Sequence, residues 1–264
     1  MSNLASFRSA FATQLRVVWA ISLRDIHGKH GRSRLGYLWE ILKTVFFVGI
    51  FWGIREVTGF KAPHGMSTGL FLLLGFIAWN IFSETVSLGL KVMQRHKALL
   101  TFSVVQPLDL FLGNAIVSWV TEIVIGGVFL LLLAWHGPPF TLYDPATLVI
   151  ALISVGIFSF ALSLVLGAMM AYLPFLEHII PMIMRILFFT SGVFFSPFQM
   201  AYGYRELLLW HPLVNYIELL RGAFVYMSPS SEIRIVYLLC IGAIALALGL
   251  LLERHARLRW AAML

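Results

Sequence analysis

Charged and polar residues recur inside stretches of this chain that are otherwise apolar, and those are the groups best placed to do chemistry. Glu40 and Lys43 stand one helical turn apart in LGYLWEILKTVFFVGIFWGI, close enough to pair. Asn80, Ser83, Glu84 and Ser87 line much of one side of a second apolar run. Ser118 and Glu122 are four apart in a third, with Glu122 near its middle, and Arg185 lies in a fifth, followed by Thr190 and Ser191. Each such group costs a few kcal/mol at bilayer depth unless it is paired or wet. Two readings follow. In one, the charges are interhelical pairs such as Glu122 with Arg185, and Arg185 also snorkels towards the surface. In the other, Lys43 and Arg185 meet an anionic group arriving from the cytoplasm.

No catalytic constellation accompanies them. The acidic residues do not gather as a general acid–base pair, and no G-x-x-x-x-G-K-[ST] loop occurs that could cradle a nucleotide. Cys240 is the only cysteine, so an intramolecular disulfide is impossible, and the eight histidines are scattered without metal-ligand spacing. No metal site and no cofactor bound by this chain are expected. Several aromatics, among them Phe46, Phe47, Trp52, Trp79, Phe82, Trp119 and Phe158, sit inside the apolar runs and not at their ends. Aromatics of this kind are ordinarily core or interfacial belt, but a sugar chain could also slide over their faces.

The elements that must position these residues are membrane helices. Of 264 residues, 60% are hydrophobic and 12% charged, against about 45–50% and about 25% in soluble domains. The mean hydropathy is +0.89. About 20 apolar residues cross a bilayer as a helix, and six candidate runs cover 35–54, 69–90, 107–134, 146–170, 179–196 and 235–252. The formal charge of +7 fits a positive-inside bias better than nucleic-acid binding. Twelve Lys and Arg fall on residues 1–34, 91–106 and the C-terminal tail, and five on the alternate loops. That asymmetry puts both termini in the cytoplasm, as an even number of spans requires. Residues 1–34 hold no apolar run longer than five, so no cleavable signal peptide is expected.

Two segments differ in kind. Leu4, Phe7, Phe11, Leu15, Val18 and Ser22 recur at three- and four-residue steps with Arg16 and Arg24 roughly opposite, which predicts an amphipathic helix over 4–25 lying in the headgroup plane. Gly28 and Gly31 are expected to loosen the backbone after it. Residues 197–234 are long for a loop yet apolar, and Pro197, Pro212 and Pro229 divide them into pieces too short to span. Re-entrant or interfacial helices are expected there, with Pro212 in a first turn; an exposed periplasmic loop is the alternative. The chain thus divides into a cytoplasmic interface helix and basic linker (1–34) and an all-α six-span domain (35–264) with a re-entrant region at 197–234.

The segments SLRDIHGKHGRSRLGYLWE, FFTSGVFFSPF and WHPLVNYIELLRGAF resemble the permease subunits of type-2 ATP-binding-cassette exporters, and most of all their capsular-polysaccharide export branch. The resemblance runs over nearly the whole chain. It implies a homodimer in the bacterial inner membrane that moves a lipid-linked acidic glycan outward, while a separate cytoplasmic ATPase dimer binds ATP and Mg. Periplasmic and outer-membrane export proteins are further implied partners, with membrane lipids and no nucleic acid. On this resemblance Arg24 and Asp25 end the interface helix; Leu35, Gly36, Leu38 and Trp39 start the first span. Residues 91–104 form the coupling segment, with Arg95, His96 and Lys97 as its basic face. Ser191, Gly192, Ser196 and Pro197 match the external end of the fifth span; Trp210, Pro212, Leu213, Glu218 and Arg221 match the gate region. The expected conduit comprises Lys43, Arg185, Trp39, Phe46, Phe47, Trp52, Trp79, Phe82 and Glu84. The loop YLPFLEH at 172–178 lacks the Arg-Asp pair of O-antigen relatives. Exporters of O-antigen, teichoic acid, small lipids or drugs share the topology. A secondary transporter would need an ion-coupled acid, for which Glu122 is the candidate, and a glycan-transferring membrane enzyme would need acidic residues gathered at one face.

Overall fold

Apolar segments in lipid must satisfy their backbone hydrogen bonds internally, which selects the helix. The computed structural model describes residues 2–29, 36–59, 62–102, 104–226 and 235–261, with backbone alone for 2–11, 27–29, 36–38, 40, 64 and 261. Among the described residues there are ten α-helices and no strand: α1 Ser2–Lys29, α2 Gly36–Thr58, α3 Thr68–Leu90, α4 Val92–Arg95, α5 Pro107–His136, α6 Pro145–Met170, α7 Leu176–Thr190, α8 Tyr202–Leu208, α9 Pro212–Gly222 and α10 Ile235–Ala261. Their starts are written locally. The Ser67 hydroxyl accepts from Leu70 N–H at 3.3 Å, and Asp144 accepts from the Ala146 and Thr147 N–H groups ahead of Pro145, each satisfying donors that a helix start leaves open.

Helix α3 is the hub, buried along almost its whole length from Gly69 to Leu90 and packed on α2, α5, α6 and α9. Close approach needs small residues. Gly249 of α10 lies against α6, where an added Cβ would meet Leu164 Cβ at 2.9 Å and the Ala161 carbonyl at 3.0 Å. Four helices, α3, α5, α6 and α10, are long and apolar enough to cross a membrane. Their outward faces expose Leu131, Trp135, Ile153, Leu239 and Leu251, side chains that suit contact with lipid.

The other two expected spans are helical but fall short of that description. Helix α2 has 23 residues, yet it carries Glu40, Lys43, Arg55 and Glu56. Helix α7 has 15 residues with Pro181 inside it and stops at Thr190, short of the expected 196. The chain turns there through Gly192, whose φ of 90° suits a residue without Cβ. The 197–234 region is cut as its prolines suggest, into α8 and the 11-residue α9, with Pro212 at the first position of α9. Pro229 and Arg234 lie outside the described residues.

Helix α1 is longer than expected and continues through Gly28, which therefore does not loosen it. Val18, Ile21, Ser22 and Asp25 are buried on its inner face, whereas Leu15 and Trp19 are exposed. The stripe facing α5 is thus rotated from the expected one: Ser22 Oγ donates to the Gly113 carbonyl, and Leu15 points away. The side chains of Leu4, Phe7 and Phe11, and Gly31 and Leu35, lie outside the described residues.

Candidate functional site

Helical spacing brings three polar and aromatic faces to one cavity of about 380 Å³. Lys43, Thr44 and Phe47 come from α2; Phe76, Trp79, Asn80, Ser83 and Glu84 from α3; Met184, Arg185, Phe188 and Phe189 from α7. Steps of three and four residues put each set on one side of its helix. The aromatic wall is continuous, with Phe188 5.3 Å from Trp79 and 5.8 Å from Phe76 between ring centroids. Two cations therefore face an opening walled by rings, where charge is less screened than in bulk water. On the α3 side, Asn80 Nδ2 donates to Glu122 Oε2 of α5 at 3.2 Å. Glu122 takes that hydrogen bond while Arg185 faces the cavity, so the alternative Glu122–Arg185 pairing is not the arrangement seen.

Of the expected conduit residues, Lys43, Phe47, Trp79, Glu84 and Arg185 meet in this cavity. Four do not. Trp39 and Phe46 lie on the outer face of α2, 68% and 64% exposed. Trp52 packs over Gly69, where an added Cβ would come within 3.0 Å of its ring. Phe82 is in the core, its ring stacked on Phe158 at 6.0 Å. The side chain of Glu40 lies outside the described residues.

A second constellation joins α9 to the end of α7 and the start of α3. Arg221, 2% exposed, pairs with Glu218 at 2.7 Å one turn back. Its guanidinium also donates to the carbonyls of Gly192 at 2.9 Å, Val193 at 2.8 Å, Phe195 at 3.2 Å and Phe71 at 3.2 and 3.3 Å, and it lies 3.5 Å from the Phe71 ring centroid. The Gly192, Val193 and Phe195 carbonyls belong to the turn after α7, so there the arginine satisfies acceptors that regular structure leaves open, while the Phe71 carbonyl, inside the first turn of α3, takes it on a second lone pair. Ser196 Oγ donates to the other Glu218 oxygen at 3.1 Å, and Pro197 is buried beside it. Trp210 is exposed, and its carbonyl accepts from the Tyr237 hydroxyl at 2.7 Å. Pro212 starts α9.

At the opposite end, Arg24, Asp25 and His96 form a cluster between α1 and the segment after α3. Arg24 binds Asp25 Oδ1 at 3.0 Å and contacts His96 Nδ1 closely. An arginine only donates, so Nδ1 accepts and the ring proton sits on Nε2, 3.2 Å from Asp25 Oδ2. Burial pushes the Asp25 carboxyl up, but its hydrogen bonds with His96 and Arg24 and the charge of Arg24 outweigh it and hold it below the ordinary value. His96 is thus buried while Arg95 and Lys97 remain exposed, so the expected basic face is split. Further ties run from Gln14 to Asp109 at 2.5 Å, from Arg257 to Gln106 at 3.2 Å and from Lys91 to Glu177 at 3.2 Å. The last joins YLPFLEH to the start of the 91–104 segment through a Lys-Glu pair, not an Arg-Asp pair.

Residues 14–225 match the ABC-2 type transporter family. The chain belongs to that family. As an ABC-2 protein it is similar, over almost its full length, to the polysialic acid transport protein KpsM of Escherichia coli, 28% identical over 248 residues that cover 94% of this chain and 96% of the relative. The capsule polysaccharide export inner-membrane protein BexB of Haemophilus influenzae is 22% identical over 256 residues, 95% and 94% of the two chains. The O-antigen export system permease protein RfbA of Klebsiella pneumoniae is 22% identical over 266 residues, 100% of both. With its apolar helices, this ABC-2 chain is a multi-pass inner-membrane protein.

Sequence reasoning about this ABC-2 permease missed Phe76, Met184, Phe188 and Phe189 as cavity walls, because uniformly apolar runs carry no sign of which face turns where. The three-residue spacing of Glu218 and Arg221 could have signalled their pairing; nothing in the sequence signalled that the turn at 192–195 is their partner.

Proposed function

We propose that two copies of this chain form the membrane passage of an exporter that moves a lipid-linked acidic capsular polysaccharide out across the bacterial inner membrane. ATP and Mg are bound by a separate cytoplasmic ATPase dimer, and this chain supplies binding and gating without reaction chemistry of its own. Six crossings, with α2 and α7 joining the four apolar helices, α8 and α9 re-entrant, and both termini cytoplasmic, complete the reading; the Lys and Arg asymmetry supports it. In that orientation the cavity opens in the cytoplasmic half, and α9 with its Glu218–Arg221 pair lies at the outer end as the gate. Arg24, Asp25 and His96 join the interface helix to the coupling segment, so a push from the ATPase on Arg95 and Lys97 is passed to α1. Periplasmic and outer-membrane export proteins are proposed partners on the outer face.

The observation that carries this reading is the aromatic cavity with Lys43 and Arg185 on facing helices, which suits phosphate or carboxylate on a sugar-bearing lipid. Capsule relatives support an acidic glycan, and the higher identity to KpsM favours that branch over O-antigen. The test is export in a strain lacking the native gene. Lys43→Ala/Arg185→Ala should lower surface polysaccharide by at least about tenfold, the scale of a single lost charge-assisted contact, at equal protein in the membrane. Undiminished export by that variant would overturn the reading.

A further inference from the structure

The cavity has a polar wall as well as a cationic one. Asn80 lines it from α3, and its amide nitrogen is held at 3.2 Å by Glu122 Oε2. Glu122 is 5% exposed and sits midway along α5, behind that wall. A carboxylate oxygen only accepts, so it fixes which way the Asn80 amide is turned: the NH₂ inward and the carbonyl Oδ1 left as the acceptor offered to the cavity. Ser83 and Glu84, three and four residues on, extend the same wall. A ligand held by its anionic group at Lys43 and Arg185 would meet the Asn80 acceptor across the opening.

We infer that Asn80 is a specificity-determining residue that reads hydroxyl or amide N–H donors on the sugar, and that Glu122 is its positioning residue. The inference rests on the proposed glycan-binding role of this cavity and adds to it: the anionic group gives attraction, and the fixed acceptor selects a sugar over other anionic lipids. A buried carboxylate facing an amide is in this view a clamp on orientation.

The test uses the complete transporter, permease with its ATPase, in lipid nanodiscs. Its probes are a hexuronate trisaccharide and the same trisaccharide with ring hydroxyls replaced by fluorine, which keeps carboxylate and shape but lacks the donors. The native complex should bind the hydroxylated probe more tightly, by about three- to tenfold, the scale of one net hydrogen bond. Asn80→Ala should abolish that preference. Glu122→Gln should also erode it, since a glutamine can face Asn80 with either atom and no longer dictates its orientation. The double variant should lose no more than Asn80→Ala alone, because both act through one contact. Lys43→Ala/Arg185→Ala should weaken both probes together and leave whatever preference remains measurable. Equal binding of the two probes by the native complex, or a preference unchanged in Asn80→Ala or in Glu122→Gln, overturns the inference while carboxylate-dependent binding upholds the glycan cavity. Failure of the native complex to bind either probe overturns both.

Discussion

Arg221 and Arg185 are guanidiniums in neighbouring parts of the same apolar structure, and their surroundings are opposite. Arg221 is enclosed, paired with Glu218, and spends its donors on four backbone carbonyls. Arg185 is exposed to an open cavity beside aromatic rings. A buried charge whose every donor is used fixes the shape of the chain around it, whereas one that faces an opening can still bind something that arrives. The comparison separates the charges that hold this protein together from those able to meet a passing ligand, although residue type and hydropathy are the same for both.

The sharpest way to break it is Arg221→Ala. Removing it leaves Glu218 buried without its cation and several carbonyls open, a loss of about 3–5 kcal/mol, and little folded protein should be recovered by size-exclusion chromatography in detergent. Arg185→Ala should leave the thermal midpoint within the effect of about 0.5 kcal/mol usual for exposed sites, while export falls. Equal destabilisation by both would erase the distinction. Gly75→Ala probes the enclosure itself. Its Cβ would lie 2.9 Å from an Arg221 nitrogen and 3.1 Å from the Val193 backbone, and overpacking of that kind costs about 1–3 kcal/mol, read as a lower melting temperature.

The smallest effect concerns the Arg24–Asp25–His96 cluster, which is intermediate between the two arginines in exposure. The Asp25 carboxyl is held below its ordinary value when folded. Its contribution is therefore complete above about pH 4, the unfolded value, and is lost as pH falls through the folded one. Protection of residues 91–101 from hydrogen–deuterium exchange, taken relative to the intrinsic amide rate at each pH, should hold from pH 7 to 5 in the native protein and fall only below about pH 4. Asp25→Asn should exchange faster already at pH 7 and show no such acid step.

Much of this arrangement could be read from residues alone, for a physical reason. A charge or amide in an apolar run is conspicuous because its burial is costly, so Lys43, Asn80, Glu84, Glu122 and Arg185 stood out, and the structure gathers four of them at one cavity with Glu122 directly behind. Aromatics have no such contrast with their neighbours. Trp39, Phe46, Trp52 and Phe82 looked the same as Phe47 and Trp79 in the sequence, yet they face outward, pack at the far end of α2, or fill the core. The helices were legible from run length, whereas the end of α7 was not, because it is set by contacts with Arg221, 29 residues beyond Gly192. His96 likewise reads as one of three adjacent basic residues until Asp25, 71 positions earlier, is seen to draw it inward.

The brevity of α7 bears on the lipid around it. Fifteen residues rise about 22 Å, well short of the roughly 30 Å hydrocarbon slab. Wherever this helix borders the bilayer, the leaflets must pinch towards each other or let their headgroups dip inward to match it. On the proposed six-crossing arrangement, a charged headgroup beside α7 would face a thinner dielectric barrier than beside the longer helices.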